Sequence, residues 1–178
     1  NMEENSENLM NCTNCGAPMK LLLDRQHFFC EYCTTIYFPE ENDDGILVLE
    51  HNSDTSCPVC NIPLVYGFID RTQTLYCQNC RGILIDQEVF LMVIDYLRAK
   101  SSAPSITPPP VDLEELNRKI RCPNCSRRMS THLYGGPGNL VVDNCIHCSL
   151  LWLDNNEFTR IIRAPGREPR IEPEEEEQ

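Results

Sequence analysis

A small, metal-dominated, mainly β fold in three tandem units is what this sequence predicts, and three observations lead to it. All twelve cysteines fall into Cys-x-x-Cys pairs: Cys12/Cys15, Cys30/Cys33, Cys57/Cys60, Cys77/Cys80, Cys122/Cys125 and Cys145/Cys148. The gaps between successive pairs alternate, at 14, 16 and 19 residues inside a proposed unit and 23 and 41 between units. The rest of the composition is wrong for one large core, because aromatics make up 7% of the 178 residues and prolines number 13. Units of about 40 residues rarely hold together by apolar burial alone and need a metal or cross-links.

The short gaps suit a hairpin and a return strand, so the first pair joins the second, the third the fourth and the fifth the sixth. A repeat in the flanking residues supports this register. Four residues beyond each leading pair stands Met19, Leu64 or Met129. Three residues beyond each trailing pair begins an apolar run: Ile36-Tyr37-Phe38, Ile83-Leu84-Ile85 and Leu151-Trp152-Leu153. In the second and third copies the run leads to Asp86 or Asp154, and four residues on to Phe90 or Phe158.

Those two copies are predicted to end in short α-helices. Asp86 reads as the start of a helix closing near Lys100, with Val89, Phe90, Val93, Tyr96 and Leu97 on one face. Asp154-Asn155-Asn156-Glu157 reads as a capping box with Asp154 as N-cap, ahead of Phe158, Ile161 and Ile162. The first copy has Pro39 at the acidic position, and Asp44-Gly45 reads as a turn into a strand over Ile46–Leu49. Asp112 is expected to cap a short helix before Cys122.

The expected division is a disordered N-terminus at 1–10, units at 11–50, 55–100 and 112–163, and a disordered acidic tail at 164–178. Residues 101–111 join the last two units as a proline-rich linker, extended and fairly stiff.

Two facing Cys-x-x-Cys turns aim four sulfurs at one point, which is the closed tetrahedral arrangement of structural zinc. Each unit is therefore a zinc ribbon. Its ligands are Cys12, Cys15, Cys30 and Cys33; Cys57, Cys60, Cys77 and Cys80; and Cys122, Cys125, Cys145 and Cys148. Gly16, Asn61 and Ser126, directly after the leading pairs, stand where such turns call for left-handed backbone. Three Zn2+ ions are expected. Iron in rubredoxin-like sites is the competing metal, because the geometry admits both. Disulfides would require an oxidising compartment, and a redox Cys-x-x-Cys would require a βαβ setting that the sequence lacks.

The formal charge is −12, spread as −9 over residues 1–110, +2 over 111–170 and −5 over 171–178. Three filled four-thiolate sites would add roughly −6 more. Within this acidic chain Arg118, Lys119, Arg121, Arg127, Arg128, Arg160 and Arg163 gather around the third ribbon, and nucleic-acid binding through their contact with phosphates is the alternative reading. No stretch is apolar for long enough to span a bilayer, and residues 1–10 have none of the basic-then-apolar character of a secretion signal. No membrane partner and a cytoplasmic location are therefore expected.

Cys122-Pro123-Asn124-Cys125 with Met129, then Cys145-Ile146-His147-Cys148 and Trp152-Leu153-Asp154 with Glu157-Phe158, resembles the transcription-factor-IIB-type zinc-ribbon family. Ribbon 2 is a looser copy that keeps Gly82, Ile85 and Asp86, while ribbon 1 keeps little beyond its cysteines. Ser149-Leu150 stand where that family usually has Gly-Gly. The resemblance implies a rubredoxin-like zinc-ribbon fold with four cysteine ligands per copy.

No hydrolase or phosphate-loop motif is present, and a closed four-thiolate site leaves no position for a reacting water. The expectation is a non-catalytic adaptor with no small-molecule substrate, its ribbons presented to a protein partner in transcription or translation machinery. Tyr37, Phe38 and Trp152 are candidates for that surface, with packing over the metal sites the expected role of Trp152.

Overall fold

The computed structural model describes residues 10–22, 25 and 27–166. Apart from Met10 and residues 164–166, the expected disordered ends fall outside the described residues. Each ribbon supplies three short antiparallel strands. Ribbon 1 has β1 (Lys20–Leu22), β2 (His27–Phe29) and β3 (Ile36–Tyr37), paired in that order as a separate sheet. A long strand, β4 (Ile46–Ser56), follows the turn at Asp44-Gly45. It runs well past the expected Leu49, because it pairs with β5 (Pro63–Ile69) across two register shifts. Ribbon 2 continues with β6 (Thr72–Tyr76), β7 (Ile83–Asp86) and α1 (Gln87–Lys100). Ribbon 3 has β8 (Ser130–Leu133), β9 (Val141–Cys145), β10 (Leu150–Leu153) and α2 (Glu157–Arg163).

Ribbons 2 and 3 are not separate modules on a spacer. Their strands form one seven-stranded sheet in the order β4-β5-β6-β7-β10-β9-β8, joined where β7 meets β10. Leu84 lies opposite Trp152, Ile85 opposite Leu151 and Ile83 opposite Leu153. These are the corresponding residues of the two repeats, so the junction is a pseudo-two-fold axis through Leu84 and Trp152. Two related ribbons thus pair edge to edge as the subunits of an isologous dimer would.

Strand alternation sorts the side chains of this junction into two layers. Ile83, Ile85, Leu151 and Leu153 face the helices and join Phe90, Val93, Ile94, Phe158 and Ile161 in the main core. Leu84 and Trp152 face the other way, toward the cysteines. Gly82 is the relief that admits the indole, since a Cβ there would stand 2.1 Å from Trp152 Cζ2. Ribbon 1 packs on the β4–β5 end through a third core of Met19, Phe28, Leu47, Leu49 and Phe68.

The Asp86 side chain caps α1 by accepting from the N–H groups of Glu88 and Val89, and the helix ends at Lys100 as expected. Its buried face is Phe90, Val93 and Ile94. Tyr96 is instead half exposed, with Lys100 Nζ 5.5 Å from its ring centre. At α2 the expected capping box forms only by half. Glu157 reaches back to accept from the Asp154 N–H at 2.7 Å, but Asn156 is the N-cap, in left-handed backbone at φ 70°. The Asp154 carboxylate is already engaged by Trp152 Nε1 at 3.1 Å and by Arg118. After Asp112 the chain makes a 3-10 helix, Leu113–Asn117, and not an α-helix.

The proline-rich linker is strapped along ribbon 3. Ile106 N–H donates to the Arg163 carbonyl, Arg163 donates to the Pro104 carbonyl, and Asn139 Nδ2 donates to the Pro109 carbonyl. The helices close the unit, with Arg98 of α1 donating to the carbonyls of Ile161, Ala164 and Pro165 at the end of α2. A cation set on exposed C-terminal carbonyls is favourable both as a hydrogen-bond donor and for the helix dipole.

Candidate metal centres

Five of the six Cys-x-x-Cys turns are closed by the same backbone hydrogen bond. The N–H of the residue after the pair returns to the carbonyl of the first cysteine: Gly16 to Cys12, Asn61 to Cys57, Ser126 to Cys122, Thr34 to Cys30 and Arg81 to Cys77. That closure needs positive φ, and all three leading positions have it: Gly16 (74°), Asn61 (57°) and Ser126 (63°). The trailing turns do the same at Thr34 (62°), Arg81 (62°) and Ser149 (51°), residues that carry no such signal in the sequence. Ser149 therefore adopts left-handed backbone in the stretch where the resembling family has its glycine pair.

The turns bring the cysteines together in the expected sets. Cys12, Cys15, Cys30 and Cys33 form one group, Cys57, Cys60, Cys77 and Cys80 the second, and Cys122, Cys125, Cys145 and Cys148 the third. Within each group all four sulfurs lie within 4.8 Å of one another. Cross-turn Sγ–Sγ distances are 3.5 Å for Cys12–Cys33 and Cys15–Cys30, 3.7 Å for Cys57–Cys80 and 3.6 Å for Cys125–Cys145. A disulfide would need about 2.05 Å. A tetrahedral ion with bonds of about 2.3 Å sets its sulfurs about 3.8 Å apart, so each group fits one ion of zinc size.

Donors around the sulfurs favour thiolates. Val59 and Cys60 N–H point at Cys57 Sγ (3.4 and 3.3 Å), and Cys80 N–H at Cys77 Sγ (3.5 Å). Three residues that sequence reasoning passed over add side-chain donors. Asn79 Nδ2 reaches Cys60 Sγ and Asn124 Nδ2 reaches Cys148 Sγ, both at 3.2 Å and each from the facing turn. Thr35 Oγ1 lies 3.0 Å from Cys33 Sγ. The signal available was the third position of the pair, asparagine in Cys77-Gln78-Asn79-Cys80 and Cys122-Pro123-Asn124-Cys125. The hydroxyl and N–H of Thr35 hold the Cys33 thiol down to about 5, whereas burial pushes Cys122 up to about 12. Four ionised sulfurs so close repel one another, and a divalent cation at the centre is what lets all four ionise.

The ribbon 2 and 3 centres share a core. Cys57, Cys77, Cys122 and Cys145 are buried with Leu64, Leu84, Ile120, Met129 and Trp152. Trp152 is fully buried there, a packing residue and not a surface one. Ribbon 1 is more open, with Cys15 exposed.

The basic residues of ribbon 3 divide into two groups. Arg118 is drawn inward to Asp154 and to the buried Asp143 at 3.8 Å. Arg160 donates to the carbonyls of Gly138 and Asn139, and Arg163 donates to that of Pro104. Lys119, Arg121, Arg127 and Arg128 are exposed around the leading turn, with Arg121 donating to the Ser126 carbonyl and Arg127 against His147. His147 thus stands in the turn of a site already closed by four sulfurs.

Glu157 is buried beside this cluster, and burial, with the nearby Asp154 charge, raises its carboxyl to about 8. In the unfolded chain it titrates near 4.5. The folded state therefore holds an extra proton between those values, and the stability gained below pH 4.5 is lost as pH rises through about 8. Glu157→Gln is expected to flatten the fall in urea midpoint between pH 6 and pH 9, by on the order of a kcal/mol or more. An unchanged pH slope in the variant would rule this out.

Residues 56–94 match the family model for the transcription factor zinc-finger of TFIIB zinc-ribbon type. The matched segment is ribbon 2 with the first half of α1, and the ribbon joined to it at β10 repeats its order of three strands and a helix. No curated protein and no solved structure matches the chain. Among the described residues no helix is long and apolar enough to cross a membrane.

Proposed function

We propose that this chain is a non-catalytic, zinc-binding adaptor that contacts a protein partner through ribbon 1. The observation that carries the reading is a change of exposure at corresponding positions. Ile83, Leu84, Ile85 and Leu151, Trp152, Leu153 are buried, while Ile36, Tyr37 and Phe38 are 49%, 40% and 64% exposed. Tyr32, in the adjacent turn, is exposed as well. Several exposed apolar and aromatic side chains gathered on one small unit are the usual mark of a protein contact. Four-sulfur coordination leaves no open position for substrate, which supports a structural metal. Colourless protein with about three zinc ions per chain by elemental analysis would support zinc; coloured, iron-loaded protein would support the electron-carrier reading instead.

The adaptor reading is tested by cross-linked capture with wild type and Phe38→Glu at low and high salt. Loss of the same captured protein in the variant, with capture insensitive to salt, is the expected result. Equal capture by both would reject ribbon 1 as the contact.

Lys119, Arg121, Arg127 and Arg128 favour a second reading, nucleic-acid binding by ribbon 3. With Arg118, Arg160 and Arg163 engaged inside the protein, the footprint is small, and the net charge of −12 opposes it. Deleting residues 171–178 and measuring DNA and RNA binding against salt decides this. No gain and no salt slope would reject it.

A further inference from the structure

The apolar run after each trailing cysteine pair is the last strand of its own ribbon, and the chain shows twice what the free side of such a strand does. In ribbons 2 and 3 it becomes β7 and β10, which pair with each other across the pseudo-two-fold axis in a register centred on Leu84 and Trp152. In ribbon 1 the corresponding strand is the two-residue β3, with Tyr37 at the position of Leu84 and Trp152 and Phe38 directly after it. Its inner edge pairs with β2, Phe28 opposite Tyr37 and Phe29 opposite Ile36. Among the described residues its outer edge has no strand partner.

We propose that β3 pairs antiparallel with β3 of a second copy of this chain, so that ribbon 1 completes in trans the edge pairing that ribbons 2 and 3 complete in cis. The inference rests on the reading of ribbon 1 as a contact surface and names its partner. A second copy is the fitting occupant because this pairing joins two ribbons through the same strand, and within one chain the other two such strands are consumed on each other. Centring the register on Tyr37 puts Ile36 opposite Phe38 of the second copy on both sides of the axis. Those two residues stand where Ile83 faces Leu153 and Ile85 faces Leu151. Among the described residues no helix covers that face in ribbon 1, since Pro39 stands where Asp86 begins α1. Partner apolar side chains would cover Ile36 and Phe38 instead.

The edge is short, and Glu31, Glu40 and Glu41 lie exposed around it. The dimer is therefore weak, in the micromolar range or above, and strengthens with salt as acidic repulsion is screened. That is the opposite salt response from nucleic-acid binding.

Sedimentation of the full chain across micromolar to near-millimolar concentrations, at low and high salt, is the first test. Wild type is expected to move from monomer to dimer. Paired substitution Ile36→Glu with Phe38→Glu, or Ile36→Lys with Phe38→Lys, is expected to weaken association at least about tenfold in each variant alone. An equimolar mixture of the two is expected to recover it, because the register sets glutamates opposite lysines. Wild type that stays monomeric throughout, or a mixture that recovers nothing while both variants keep their metal, would overturn the proposal. If the variants fail to fold, amide exchange on wild type decides: protection at Ile36–Phe38 must rise with protein concentration, and constant protection would overturn it. Monomeric wild type whose capture of another protein is still lost in Phe38→Glu would remove the dimer and leave the adaptor reading standing.

Discussion

Stripping the metal from the folded chain is expected to melt ribbons 2 and 3 together in one transition. Ribbons of this size do not hold by apolar burial alone, and metal binding is worth on the order of 10–16 kcal/mol in zinc-finger peptides. The shared fate follows from the junction. Cysteines of both centres pack with Leu84 and Trp152 in one core, and β7 and β10 lie side by side in one sheet. Trp152 is the sole tryptophan and sits in that core, so its emission reports on both centres. Cys80→Ser, which removes a ligand of ribbon 2 only, is expected to red-shift Trp152 although every ligand of ribbon 3 is intact. Unchanged emission in that variant, or an unchanged circular dichroism spectrum after complete chelation, would refute the coupling.

Gly82→Ala should be among the most damaging single-methyl additions in the chain. The added Cβ would meet Trp152 Cζ2 at 2.1 Å, Cη2 at 2.5 Å and Cε2 at 2.9 Å. Overpacking typically costs about 1–3 kcal/mol, and here the ring cannot yield easily. It is fully buried and its Nε1 is held by Asp154 at 3.1 Å. A loss of about 3 kcal/mol or more is expected by urea denaturation. Trp152→Leu, which copies the Leu84 of the partner repeat, leaves a cavity and destabilises by itself. The two changes together should be less harmful than their sum by at least about 1 kcal/mol. Strict additivity would show that Gly82 is not there for the indole.

The metal groups were legible because their determinants are local. A Cys-x-x-Cys turn fixes two sulfurs within four residues, and the left-handed residue after it shows itself where it is Gly16 or Asn61. Thr34 and Arg81 do the same with no propensity for it, because the closed turn over-determines their backbone. The Asp86 cap was legible for the same reason, being a contact between neighbours in sequence. The Asp154 box was only half right because its carboxylate had two distant claimants, Trp152 and Arg118, whose approach no local pattern records. Tyr96 and Ile94 exchanged roles on α1 because helical spacing gives a face but not the angle at which the sheet meets it.

The basic cluster shows the same limit. Seven cations near one ribbon look like a phosphate-binding surface in sequence, yet Arg118, Arg160 and Arg163 are spent on carboxylates and carbonyls inside the protein. What remains is four exposed side chains around one turn. The linker, read as a spacer, instead lies hydrogen-bonded against the ribbon it leads into.

The sequence by itself determined that there are three four-cysteine groups, which cysteines belong to each, and which two ribbons carry helices. Metal-ligand spacing and helix caps are properties of a few consecutive residues, so the chain states them directly. Only the tertiary structure decided that ribbons 2 and 3 are one body, that Trp152 lies on the axis between them against Gly82, and that the outer edge of β3 has no strand partner among the described residues. An apolar edge strand reads alike whether it is free, paired or roofed by a helix. Which of these it becomes depends on residues dozens of positions away, brought to its side by the fold.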